Sequence, residues 1–217
     1  MGNMIKISPA TRIEGNANIT IELDEAGTPT MAHVSIPEVR GFEKFMEGMD
    51  VVQAPHVTQR ICGVCPIAHF MASSKAVDMV YGLTPSETAL KLREILYNSH
   101  YISSHGLHFF LMASPDFLLG EEDAAGRNVF GLLKKDPDTA KNALRIRSAG
   151  QKIGEIMTGK PIHPSFYGLG GVAKPLEKEK LEEIKKEAKE GLELLKPLIP
   201  MFGMIFEKVK DEIDFEQ

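Results

Sequence analysis

The spacing of apolar residues changes near residue 60. Upstream it alternates: Asn18-Ile19-Thr20-Ile21-Glu22-Leu23 puts polar and apolar side chains on opposite faces, as a half-buried strand does. His33-Val34-Ser35-Ile36 resumes the alternation, and Asp24 to Pro29 (D-E-A-G-T-P) between them is a turn sequence. Residues 4–40 therefore predict strands organised around a hairpin. Gly41 to Met49 predicts a short helix, and residues 53–60 a loop.

Downstream the period is helical. Pro66 suits a first helical position, where its missing N–H costs nothing, and that helix should run to about Tyr81 and stop at Gly82. A second helix fits Pro85 to Met112, ended by Ser114-Pro115-Asp116. Residues 117–135 read as irregular. Asp136-Pro137 is a cap followed by an N1 proline, and the helix it starts should reach Thr158, with Gly159 just beyond its end. Residues 160–175 read as a loop rich in Gly and Pro. Glu177 to Lys196 is amphipathic, with Leu181, Ile184, Ala188, Leu192 and Leu195 on one expected face. Pro197 and Pro200 should break it before a last helical segment carrying Phe202, Phe206, Val209 and Ile213. The expected fold class is α+β and mainly helical. An N-terminal antiparallel hairpin or sheet (residues 1–60) is followed by a bundle of long helices (61–217).

Composition narrows the function only coarsely. Charged residues at 25% and apolar residues at 43% are ordinary for a soluble globular protein. A net charge of −5 argues against nucleic acid as the main partner, which would favour a basic face. The start M-G-N-M-I-K-I-S has no long apolar stretch, and no apolar run approaches a membrane span. The expectation is a cytoplasmic chain with no secretory leader and no membrane span.

Chemistry concentrates in R-I-C-G-V-C-P-I-A-H, residues 60–69, which holds both cysteines of the chain. A lone C-x-x-C is no disulfide framework and in a reducing compartment reads as metal-binding or redox-active. Cys65 precedes a predicted helix N-terminus, where unpaired N–H groups and the helix dipole favour negative charge. His69, one helical turn above Cys65, suits a hydrogen bond to a metal's surroundings better than direct ligation. The plain alternative is a pair of buried structural cysteines. A closed site for a thiophilic metal usually takes four protein ligands, and this chain offers two thiols. A zinc module formed across a dimer by two such pairs is a further alternative.

The segment closely resembles the N-terminal cysteine motif of nickel–iron hydrogenase large subunits. The likeness continues in order through S-P-A-T-R-I-E-G (8–15), R-G-F-E-K-F (40–45), Q-A-P-H-V-T-Q-R (53–60), S-H-Y-I-S-S-H-G-L-H-F-F (99–110), G-K-P-I-H-P (159–164) and G-G-V-A-K-P (170–175). The wording around the cysteines looks closest to cytoplasmic, cofactor-coupled archaeal members, including those of methanogens.

The resemblance implies a role for each matching position. Cys62 and Cys65 would supply half the thiolates around nickel, with Cys65 bridging nickel to an iron that carries diatomic ligands. Arg60 and His69 complete the motif as candidate catalytic residues. Glu14 would be the proton gate, although the local pattern alone fits a surface glutamate equally well. Glu43 would serve a magnesium or similar hard-cation site, against the plain reading of a solvated helix charge. Electrons would leave through an iron–sulfur small subunit.

His100, His105 and His108 belong to the resembling His-rich helix, with roles around the metal site rather than as zinc ligands. His163 also fits a simple turn residue. The Glu/Lys run of residues 177–196 is most simply a solvated face.

The match departs from the family in two places. Asn16 stands where the family usually has His, and Asn cannot carry a proton. The family's C-terminal half, with the second cysteine pair, is absent, since no cysteine follows Cys65. The expectation is the N-terminal part of a catalytic subunit, completed by its missing half or by a separate chain bringing the second pair. The alternative is a non-catalytic, degenerate hydrogenase-like scaffold.

Overall fold

A computed structural model describes residues 3–120 and 124–211. Two compact units divide it, residues 1–45 and residues 46–217.

In the first unit β1 (Met4–Ile7), β2 (Asn18–Leu23) and β3 (Pro29–Ser35) form an antiparallel sheet in the order β1-β2-β3. The expected hairpin is β2–β3, with Ile21 opposite Ala32. Its turn is built by Asp24, whose carboxylate accepts from the N–H groups of Ala26 (2.9 Å) and Thr28 (2.8 Å). Gly27 supplies the positive φ of 83° that an L side chain resists. Apolar residues of the outer strands, Met4, Ile5, Met31 and Val34, remain exposed. Helix α1 is Phe42–Met46.

The second unit begins with short helical turns where a loop was expected. A 3-10 turn at Val51–Gln53 leads into α2 (Ala54–Thr58) and a second 3-10 turn at Gln59–Ile61. Asp50 caps the first through its carboxylate and Pro55 occupies the first turn of α2, two start signals that outweigh the lack of a long periodic pattern. Helix α3 spans Pro66–Val80, as its period predicts.

Helix α4 is Glu87–His105, capped by Ser86. It does not end at Ser114-Pro115. A π-helical stretch, Gly106–Ala113, carries it directly into α5 (Ser114–Leu118), with Pro115 in the first turn where no N–H is needed. Within the segment expected to be irregular, Asn128 caps α6 (Val129–Lys135). Helix α7 (Pro137–Thr158) keeps its predicted ends, with Asp136 accepting from Thr139 N–H and Gly159 left-handed at φ 77°. A small hairpin, β4 (Tyr167–Gly168) with β5 (Gly171–Val172), interrupts the expected loop.

Helix α8 (Lys178–Leu195) is turned relative to expectation. Its buried line passes through Ile184 and Gly191, whereas Ala188 is exposed and Leu192 is 52% exposed. Two contacts select this rotation. Gly191 packs against Ala149 at an ordinary distance, an added Cβ lying 3.5 Å from the alanine methyl. Glu187 and Glu190 both reach Arg145 of α7, at 2.9 and 2.6 Å. Pro197 lies in a 3-10 turn that joins α8 to α9 (Ile199–Val209). Ile213 lies outside the described residues.

Two apolar clusters hold this unit. One combines Phe70, Val77, Leu96, Ile153, Met157, Phe166 and Ile184, the other Phe110, Ala143, Ile146, Leu198, Met201 and Ile205. Helices α4 and α7 meet at Gly150, where a Cβ would stand 2.5 Å from the Ser99 carbonyl oxygen.

Candidate metal centre

The approach to the cysteines is rigid because both sides of it are anchored. Upstream, Pro55 and Gln59 are buried. Downstream, Ile67 (7% exposed) and Phe70 (1%) plug the first turn of α3 into the core. Between them Cys62 is extended (φ −134°, ψ 134°) and Cys65 is the residue preceding α3 (φ −115°, ψ 36°). Pro66 follows at N1, so the helix starts where its fixed φ is already helical. The carbonyl of Cys65 accepts from Ala68 N–H at 3.1 Å and from His69 N–H at 3.4 Å.

This turn brings three donors together. The Cys65 backbone N–H donates to Cys62 Sγ, 3.1 Å away. The two sulfurs and a ring nitrogen of His69 lie within 4.8 Å of one another, all on half-buried residues. The cysteines form no disulfide. Two soft sulfurs and an imidazole, deprotonable and convergent, are the donor set of a nickel, iron or zinc site. Among the described residues, no other three His, Cys, Asp or Glu side chains converge in this way.

The remaining candidates are placed more simply. Arg60 is exposed on the 3-10 turn before Cys62. Glu14 and Glu43 belong to the first unit and are both exposed, Glu14 between the left-handed residues Arg12 (φ 62°) and Gly15 (φ 84°), Glu43 in the first turn of α1. At position 16, the Asn amide donates to Glu38. The three histidines of the resembling helix do not form one site. His100 is buried, and desolvation, with His105 nearby, holds its pKa below the ordinary 6.5. His105 is exposed and its Nδ1 lies 3.0 Å from the Tyr101 carbonyl oxygen. His108 is exposed on the π-helical stretch. His163 adopts a left-handed φ of 55°, with its Nδ1 buried.

Two features beside the cysteines carry no motif. Behind the loop, Gly63, Pro66 and Ile67 form one wall of a cleft whose other wall includes Ser99, His100 and Arg147. The sequence signal for it is the pairing of small residues, Ser99 and Ser103 against Gly150 and Gly154, which allows close helix approach. At the far end of α3, Asp78 is buried in an ion pair with Arg93, Nη1 to Oδ2 at 2.6 Å. Asp78 also accepts from Gly170 N–H (2.9 Å) and Tyr167 O–H (3.3 Å), and Arg93 donates to the Gly171 carbonyl through Nε (3.0 Å) and Nη2 (2.6 Å). This network ties the β4–β5 hairpin to α3 and α4, so the helix that starts at the cysteines is fixed at its other end.

Comparison with known proteins identifies the family. Residues 40–142 match the family model described as nickel-dependent hydrogenase, and residues 4–39 match one described as HoxL-like. Among curated proteins, the chain is 41% identical over 214 residues to a vhu subunit of the F420-non-reducing hydrogenase from Methanocaldococcus jannaschii, covering 98% of this chain and 51% of that one. It is 34% identical over 179 residues to the beta subunit of the NAD-reducing hydrogenase HoxS from Cupriavidus necator, covering 79% and 37%. Among solved structures, an NAD+-reducing [NiFe]-hydrogenase in its H2-reduced state superposes with a TM-score of 0.88 at 35% identity, over 96% of this chain and 47% of that one. The Ni-Fe-Se hydrogenase from D. vulgaris Hildenborough gives 0.81 at 29% identity. The chain therefore spans about half the length of the curated relatives it matches. No helix among the described residues is long and apolar enough to cross a membrane. The chain, a mainly helical α+β fold with convergent thiols at the start of a core helix, belongs to the nickel-dependent hydrogenase family.

Proposed function

We propose that this chain is the N-terminal half of the catalytic subunit of a cytoplasmic nickel–iron hydrogenase, which oxidises hydrogen reversibly to protons and electrons. The observation that carries the reading is the convergence of Cys62, Cys65 and His69 within 4.8 Å at the anchored start of α3. Cys62 and Cys65 would hold half of the metal centre as thiolates. When bound, the nickel–iron centre with its diatomic ligands would supply the hydrogen-splitting chemistry.

This chain's residues have three tasks. The loop fixes the angle between the two thiolates through the Cys65 N–H and through Ile67 and Phe70 beneath it. His69 and Arg60 orient charge around the sulfurs. As the family resemblance implies, Glu14 would act in proton transfer and Glu43 would serve a magnesium or similar cation. The second cysteine pair comes from the remaining half of the subunit or from a separate chain, and electrons leave through an iron–sulfur small subunit.

The test is made on the purified assembly. Cys65→Ser should remove nickel and hydrogen-dependent dye reduction together. Glu14→Gln should slow that reduction at least tenfold with nickel and iron unchanged. A wild-type assembly free of nickel and iron would overturn the reading and favour the scaffold alternative.

A further inference from the structure

We propose that Arg147 pairs with a carboxylate, an Asp or Glu side chain of the polypeptide that brings the second cysteine pair. The pair is seated in the cleft between the cysteine loop and helices α4 and α7. The inference rests on the reading of this chain as half of a subunit and adds to it a contact that no cysteine makes.

Arg147 differs from the arginines around it. On α7, Arg145 meets Glu187 and Glu190 of α8, and on α4, Arg93 meets Asp78. Arg147 has no ion pair or hydrogen bond among the described residues, and its Nε is buried without an acceptor. A guanidinium keeps its charge in a protein, and a buried donor without a partner is costly. The helix sets the direction of the side chain. Two residues turn an α-helix by roughly 200°, so Arg147 leaves α7 on the side away from the glutamates that serve Arg145. There it lines the cleft with Gly63, Ser99, Ser103 and Gln151, and no Asp or Glu among the described residues lines it. Gly106 packs against the stem of Arg147, an added Cβ lying 3.4 Å from its Cα and Cβ, so the stem is supported while the guanidinium stays unmatched. Charge, size and place then define the occupant. The planar fork of arginine fits a carboxylate through two parallel hydrogen bonds. A cleft of about 80 Å³ suits the end of one side chain rather than a larger ligand. Gly63 and Val64, between the two cysteines, form part of its wall, so a segment bringing two further thiolates to Cys62 and Cys65 comes to its mouth. This chain spans about half the length of its curated relatives, which leaves a chain of similar length to supply the group.

The experiment uses the purified assembly carrying Arg147→Lys and a water-soluble carbodiimide, which joins an amine to a carboxylate lying against it. Peptide mass spectrometry should find residue 147 joined to one Asp or Glu of the polypeptide that holds the second cysteine pair. Arg147→Glu should lower the melting temperature of the assembly, and Arg147→Gln should lower it less. Changing the linked acid to Arg in the Arg147→Glu background should restore it. A link to an acid within residues 1–217, a link to the iron–sulfur subunit, no link at residue 147, or no restoration overturns the proposal. So does a rise in melting temperature when formate is added to the unaltered assembly, if that rise is lost in Arg147→Gln, because a free anion then holds the site. If Arg147→Glu does not assemble, the cross-link alone decides. Nickel and iron are measured in every sample. An assembly that lacks them overturns the catalytic reading and leaves the ion pair to be judged by the link.

Discussion

Replacing Asp78 by alanine should unfold the helical unit at markedly lower denaturant. The carboxylate is 4% exposed and the Arg93 side chain 5%, so neither is screened by water. Removing one member of such a buried pair leaves an uncompensated charge and typically costs about 3–5 kcal/mol. The Gly170 N–H and the Tyr167 hydroxyl also lose their acceptor, but these costs overlap with the first because one cavity serves all three. We expect a net loss of about 4 kcal/mol, read from urea unfolding followed by circular dichroism. For a chain of this size that corresponds to roughly 8–16 °C in melting temperature. A second readout is independent of unfolding. Burial, with the Asp78 charge next, pushes the Tyr167 hydroxyl up to about 12, so its ionisation should move toward the ordinary tyrosine range in the variant. Replacing Asp78 and Arg93 together by leucine should recover most of the lost stability, since no charge is then stranded. Asp78→Ala within about 0.5 kcal/mol of the parent, the scatter of ordinary surface changes, would refute the reasoning.

Gly150→Ala should separate α4 from α7, because the new methyl would sit 2.5 Å from Ser99 O and 2.7 Å from Ser103 N, both backbone atoms. The expected cost is about 1–3 kcal/mol in urea unfolding, and an unchanged midpoint would show that the two helices give way freely. Burial, with His105 nearby, lowers the pKa of His100 from the ordinary 6.5, so its contribution to stability is present above about pH 6.5 and lost as the pH falls below it. Between about pH 7.5 and 5.5 the unfolding midpoint should fall less in His100→Gln than in the parent, and parallel pH profiles would count against a buried neutral ring.

The cysteine turn and its consequence for the fold are legible in the sequence because local rules suffice. Pro after Cys65 sets the helix start, and i, i+3, i+7 spacing then brings both sulfurs and the imidazole to one side. The ends of α7 are legible for the same reason, through Asp136 and Gly159. What escapes depends on contacts between distant segments. Nothing near Asp78 announces that Arg93 and the hairpin at residues 167–172 will enclose it. The face of α8 departs from expectation because hydrophobicity favours Leu192, whereas the helix buries Ile184 and Gly191 and pairs Glu187 and Glu190 with Arg145 of a distant helix. The continuation through Ser114-Pro115 escapes any reading in which proline ends a helix, although at a helix's first turn it is no obstacle. Roles for Glu14, Glu43 and Arg60 come from the family resemblance rather than from any pattern in their own neighbourhoods.

The π-helical stretch between α4 and α5 works as a phase shifter. Successive residues of an α-helix are turned by roughly 100°, so two neighbours rarely serve one partner. The wider π winding reduces that step, and Phe109 and Phe110 both reach Phe202 of α9, stacked at 4.1 Å and edge-on at 5.9 Å. Every residue after Ala113 is thereby rotated out of step with α4. Length in this stretch is thus information. Deleting one residue would let the helix relax to ordinary winding, yet would swing one ring away from Phe202 and turn α5 relative to everything before it. A change that improves local hydrogen bonding would loosen the docking of α9, so the count of residues between His105 and Ser114 should tolerate substitution far better than insertion or loss.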